Sequence, residues 1–303
     1  MSRWTASTLA VALGCSATAG PTRSGPTSLA PEGFWEHWGD GRAELAAYAL
    51  SIPRYGELRT GEAVLVTVTE DFDTTAQVKS DRQGPGVVPV LKLNQVVDFQ
   101  TGVYDYNTMT STFLRLDGGL PRGVPTRISF SMQEWCGQTS ARVVAHEESL
   151  VHTLDSYFAG ESVEQQSLPL PTGAVAEDAL PGLLRGLTGP APEGRVELLP
   201  RLMDGRLHHT PLRWTEARIG SGPSTVLRTP SGDHTVTPWT VEVPGGRRTW
   251  YVGVEAPHLI VGWDGEDGEE ARLTGHMRTA YWREAAEGRE SLRAELGLPL
   301  RAR

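Results

Sequence analysis

Val124-Pro125-Thr126-Arg127-Ile128-Ser129-Phe130-Ser131-Met132-Gln133 sets the period of this chain. Val124, Ile128, Phe130 and Met132 face one way, and Ser129, Ser131 and Gln133 face the other. A period of two belongs to a strand with one buried and one wet face. The spacing recurs on both sides. Upstream, Val64, Val66 and Val68 share a face, and Tyr104 and Tyr106 share one with Leu114 and Leu116. Downstream come Trp239, Val241 and Val243, then Trp250, Val252 and Val254, then Leu259, Val261 and Trp263. Most connections are too short for crossover helices, so the strands should pair antiparallel. The 34 glycines and 21 prolines fall mostly between apolar runs, where turns belong. The expected fold is mainly β: a curved antiparallel sheet or half-open barrel, in one piece or in two β halves.

Two helices are expected. Residues 175–187 place Glu177 and Asp178 near a helix start and Leu180, Leu183, Leu184 and Leu187 at helical spacing. Pro181 fits there only in the first turn. Residues 283–296 are rich in Ala, Glu, Arg and Leu and should close the chain as a helix capped by Gly297. Gly189-Pro190-Ala191-Pro192-Glu193-Gly194 reads as a joint. The body then divides into a larger β half over 32–170, a helix and joint over 171–194, and a smaller β half with a C-terminal helix over 195–303.

The N-terminus carries one positive charge, Arg3, then an uncharged apolar run, then Ala12-Leu13-Gly14-Cys15. That order resembles a bacterial lipoprotein signal. Residues 1–14 would be the signal peptide and Cys15 the acylated residue. The run is too short to span a bilayer. Residues 15–31, rich in Ser, Thr, Gly, Ala and Pro, would be a flexible tether. The expected location is the cell envelope on the periplasmic side, held to the membrane only by the N-terminal lipid.

A net charge of −9 disfavours nucleic acid and anionic membrane surfaces as partners. With Cys15 lipidated, Cys136 stands alone and no disulfide framework is available. Gln133-Glu134-Trp135-Cys136-Gly137 has two readings: a reactive thiol beside an acid, or a buried Cys and Trp at a strand end. His146, Glu148 and His152 fall at even spacings, but six residues is far along one strand for zinc ligands. His208-His209 suits a turn. Asp264, Glu266, Asp267, Glu269 and Glu270 read as a solvated hairpin loop. No hydrolase elbow, metalloprotease helix or phosphate-binding glycine loop is present, so no catalytic residue, metal or cofactor is expected. Tyr and Trp suit surfaces that are half apolar and half wet. Tyr104, Tyr106, Trp135 and Cys136 are accordingly the candidate ligand-binding residues.

Phe34-Trp35-Glu36-His37-Trp38-Gly39-Asp40-Gly41, Ile52-Pro53-Arg54-Tyr55-Gly56-Glu57-Leu58-Arg59, Asp98-Phe99-Gln100-Thr101-Gly102 with Tyr104-Asp105-Tyr106-Asn107, and the Gln133–Gly137 string resemble a family of uncharacterised bacterial exported proteins. The resemblance runs from about residue 34 to 281. Members sometimes carry the label "septum formation inhibitor Maf", which implies a nucleotide pyrophosphatase. That family's phosphate loop reads Ser-x-Ser-Pro-Arg-Arg. Ile52-Pro53-Arg54-Tyr55 lacks the serines and the second arginine, and is expected between two strands. The strand run is also similar to half-open β-barrel lipoproteins that carry acyl chains. The leading expectation is non-catalytic binding of an apolar ligand or a partner envelope protein. The alternative is an enzyme, either a hydrolase with an unfamiliar site or that pyrophosphatase.

Overall fold

The computed structural model describes residues 28–300. The expected signal peptide, Cys15 and the tether up to residue 27 lie outside the described residues. Residues 28–31 already belong to the body: the Leu29 N–H donates to the Leu116 carbonyl at 2.8 Å, and Ala30 packs on the core.

Among the described residues seventeen strands form one sheet. The first arm contains β1 (Ala43–Arg54), β2 (Glu57–Asp73), β3 (Val78–Lys79), β4 (Val87–Thr101), β5 (Tyr104–Arg115), β6 (Arg127–Glu134), β7 (Gly137–Ala145), β8 (Ser149–Ser156) and β9 (Val163–Pro169). The second contains β10 (Ala174–Ala176), β11 (Gly194–Leu199), β12 (Thr215–Ser221), β13 (Thr225–Thr229), β14 (Gly232–Val243), β15 (Gly246–Gly253), β16 (Ile260–Gly265) and β17 (Glu270–Thr279). Strand β1 lies at the centre, paired with β2 on one side and β17 on the other. From β2 the sheet runs through β4, β5, β6, β7 and β8 to β9. From β17 it runs through β16, β15, β14, β12 and β11 to β10. Among the described residues β9 and β10 do not pair, so the sheet stays open. The expected mainly β, antiparallel, half-open architecture is the observed one.

One pair departs from the antiparallel rule. β10 and β11 are parallel, and parallel neighbours need a long crossover. Residues 177–193 supply it. The helix expected over 175–187 is therefore mostly something else. Residues 174–176 are strand, 177–179 a 3₁₀ turn, and only α2 (Leu180–Leu183) is α-helical, with Pro181 in its first turn where no N–H is needed. At the C-terminus, Gly288 adopts φ 90° and interrupts the expected helix. What remains is a 3₁₀ turn at Tyr281–Arg283 and α4 (Ser291–Glu295). Gly297 does cap it: φ is 70°, its N–H donates to Ala294 O, and the Leu298 N–H donates to Arg293 O. Two further short helices, α1 (Phe34–Trp38) and α3 (Leu202–His208), carry too few residues to show a helical period.

The inner face of the sheet is filled by the chain itself. Leu180, Leu183, Leu184, Leu187, Leu202, Met203 and Leu207 join the same core as Leu91, Leu93, Leu114, Phe130 and Trp263. Gly182 lies so close to the sheet that a Cβ there would stand 3.1 Å from Leu93 and 3.3 Å from Leu91 and Leu114. A smaller outer core sits on the opposite face, where Leu296 and Leu298 cover Ala43, Leu45, Ala47, Val66 and Val68.

Candidate functional site

Four hairpin connections share one end of the first arm. Arg54 pairs with Glu57, Thr101 with Tyr104, Glu134 with Gly137 and Asp155 with Val163, and the registers between hairpins align these turns. All four candidate residues sit at this end. Tyr106 is buried, stacked on Phe99 at 4.7 Å, and its hydroxyl meets the Tyr55 hydroxyl at 2.7 Å and Arg54 Nη2 at 3.2 Å. Tyr104 is half-buried, 5.8 Å from the Tyr106 ring. Trp135 and Cys136 form the two-residue turn between β6 and β7.

The buried reading of Trp135 and Cys136 is overturned. Trp135 is 72% exposed and Cys136 is exposed. A two-residue turn at a sheet end has no layer above it to bury its side chains. The Cys136 N–H donates to Glu134 Oε2 at 2.8 Å. The hydrogen bond to Glu134 and its charge push the thiol pKa up, which opposes thiolate formation.

A cavity of about 210 Å³ opens beside these turns, between the inner face of β6–β9 and the segment carrying α3. Phe130, Leu154, Leu202 and Leu212 supply apolar wall; His152, Gln166, Glu161, Arg206 and His209 supply polar groups. Gln166 Nε2 donates to the Leu212 carbonyl at 3.1 Å, which fixes the amide orientation. The same nitrogen lies 3.1 Å from His152 Nδ1, so Nδ1 accepts and the ring proton sits on Nε2. Burial lowers the His152 pKa and keeps the ring neutral at pH 7.

At the mouth, Arg206 Nη1 lies 3.1 Å from His209 Nε2, and His209 Nδ1 lies 2.6 Å from Glu161 Oε1. A guanidinium can only donate, so Nε2 accepts and Nδ1–H serves Glu161. Ser156 Oγ donates to the other carboxylate oxygen. Burial would raise the Glu161 pKa, but the hydrogen bonds from Ser156 and His209 and the nearby Arg206 charge hold it below the usual range. The serine touches the carboxylate and not the imidazole, so the order is wrong for a nucleophilic triad.

The far side of α3 is anchored in a buried ion cluster. Arg201 pairs with Glu269 at 2.7 Å and Asp204 at 2.6 Å, Arg248 reaches Glu177, Glu269 and Asp204, and Trp263 Nε1 donates to Glu269 at 2.7 Å. Asp178 Oδ2 accepts the first helical N–H, from Leu202, at 3.1 Å. Glu269 thus leaves the solvated acidic loop to which its neighbours assign it: it is 3% exposed. Its partners lie on residues distant in sequence, so nothing local marks it.

The other motifs resolve simply. Ile52, Pro53 and Arg54 end β1, and of that string only Tyr55 lies between the strands; Arg54 Nη1 donates to the Leu207 carbonyl at 2.6 Å. His146 and Glu148 lie in the turn between β7 and β8, not on one strand with His152. His208 ends α3 and His209 is its left-handed cap, φ 53°. Cavity residues Arg206, Gln166 and Glu161 escape sequence reasoning because they meet only where α3 comes to lie beside β8 and β9.

No protein-family model matches the chain, and no curated relative matches it. Among solved structures it is similar to a β-barrel-like protein of domain of unknown function DUF1849 from Brucella abortus. The TM-score is 0.47 at 11% identity, over 78% of this chain and 97% of that one.

Proposed function

We propose that this is a non-catalytic binding protein of the bacterial cell envelope, held to the membrane by lipid on Cys15, with the cavity under α3 as its ligand site. The observation that carries the binding part is the cavity itself: apolar wall on one side, buried and oriented polar groups on the other. Its size sets the ligand. The inner face beside it is filled by α2 and its neighbours, so among the described residues this cavity suits a compact molecule. The envelope part rests on the order of charge, apolar run and cysteine in residues 1–15, and on the resemblance to exported proteins.

Native mass spectrometry of the full chain from its own membranes tests the binding part; a stoichiometric small molecule that leaves on unfolding is the expected result. Recovery of an empty protein from every preparation, with no small-molecule binding by titration, would sink the reading. Labelled fatty acid tests the anchor: uptake by the wild type and none by Cys15→Ala is expected, and an unlabelled wild type would overturn it.

A further inference from the structure

Among the described residues three arginines are buried: Arg185, Arg201 and Arg206. Two of them have the carboxylate partners that burial demands. Arg185 grips Glu44 through two hydrogen bonds of 2.7 and 3.0 Å, and Arg201 grips both Glu269 and Asp204. Arg206 is 5% exposed and forms no ion pair among the described residues. Its Nε is buried without a hydrogen-bond partner, and its Nη1 meets only the imidazole of His209. Glu161 attracts it as a nearby charge but meets it by hydrogen bonding only through that ring. The Phe158 ring lies 3.8 Å from the guanidinium carbon. That stacking offsets part of the burial cost and fixes the plane of the fork.

This unpaired guanidinium lines the cavity, and so does His152, whose Nε2–H is its free donor edge. We propose that the cavity takes a small organic anion, a single carboxylate on a compact apolar body, with Arg206 as counter-ion and His152 as second donor. The proposal rests on the reading of this cavity as the ligand site. A planar fork matches a carboxylate through two parallel hydrogen bonds, which an ammonium does not reproduce. The volume, about 210 Å³, exceeds the roughly 150 Å³ that holds a benzene molecule. A six-membered ring with a short acid arm therefore fits.

Calorimetric titration of the full chain with phenylacetate and with phenylacetamide, its neutral isostere, tests this. Phenylacetate is expected to bind at least tenfold more tightly than the amide. Arg206→Gln, checked for wild-type circular dichroism, should remove that preference. The comparison of acid with amide on the wild type asks the same question without any variant. Equal affinity for the two probes overturns the anion assignment and leaves the ligand site standing, as does phenylacetate binding unchanged in Arg206→Gln. Binding of neither probe, with nothing co-purifying, overturns both readings.

Discussion

Asp178 shows how one buried side chain makes this fold sensitive to pH. Burial raises its pKa to about 7, and the neighbouring Glu177 and Asp204 charges add to the rise against the pull of the Leu202 N–H and Arg201. A carboxyl whose pKa is higher folded than unfolded stabilises the fold while protonated. Its contribution is full below the unfolded value of about 4 and is lost as the pH climbs to about 7. At about 1.4 kcal/mol per tenfold change in proton affinity, the loss amounts to roughly 4 kcal/mol at most. Asn in place of Asp keeps an oxygen for the Leu202 N–H and cannot ionise. Urea unfolding of wild type and Asp178→Asn between pH 4 and 8 should therefore show the variant gaining on the wild type as pH rises. A constant difference across that range would mean that Asp178 is charged in the fold at all these values.

At the level of elements, the last turn of α4 and its Gly297 cap hold the outer core in place. Gly297 sits at φ +70°, and a Cβ there would stand 2.8 Å from Thr274 Cβ. Left-handed backbone costs an ordinary residue about 1–2 kcal/mol, and the clash adds to it. Gly297→Ala should lower the unfolding free energy from urea titration by that amount or more, whereas Gly84→Ala, with nothing within 4 Å, should stay within about 0.5 kcal/mol of wild type. Equal behaviour of the two would show that the tail does not pack on β17. Gly297 was legible in the sequence because a cap is a local signal. So was the alternation of β6, where Ile128, Phe130 and Met132 are buried and Ser131 and Gln133 exposed. The helix over 175–187 misled for the same reason that it looked convincing. Leu180, Leu183, Leu184 and Leu187 are all buried, but they are buried by a crossover under the sheet, and leucine spacing does not distinguish that from one amphipathic face. The binding residues chosen from aromatic content reached the correct end of the sheet and stopped at its turns. Arg206 is one arginine among many in the sequence, and only its burial without an ion pair among the described residues sets it apart.

The whole molecule hangs on two connections between its arms. β1 pairs with β2 along one edge and with β17 along the other, so neither arm has a sheet edge of its own at the centre. The crossover segment then packs beneath both arms: Gly182 lies against Leu91, Leu93 and Leu114 of the first, while Glu177 pairs with Arg248 of the second. The outer edge at β9 is polar, with Glu164, Gln165 and Gln166, and Trp214 donates to its last carbonyl, Pro169 O, at 2.8 Å. Such an edge resists pairing with another chain, which leaves the internal seams as the places where the fold could divide. One shared core predicts one transition. Tryptophan fluorescence samples nine tryptophans, among them Trp135 in the first arm and Trp250 and Trp263 in the second; far-ultraviolet circular dichroism reports strands from both arms. The two signals should give the same urea midpoint and slope, and the calorimetric and van't Hoff enthalpies should agree. Two separated transitions would mean that residues 32–170 and 195–303 fold as independent halves and that the crossover only bridges them. In that case the cavity, walled by β6–β9 on one side and by α3 on the other, would lose its shape before either half unfolded, and ligand should shift only the first transition.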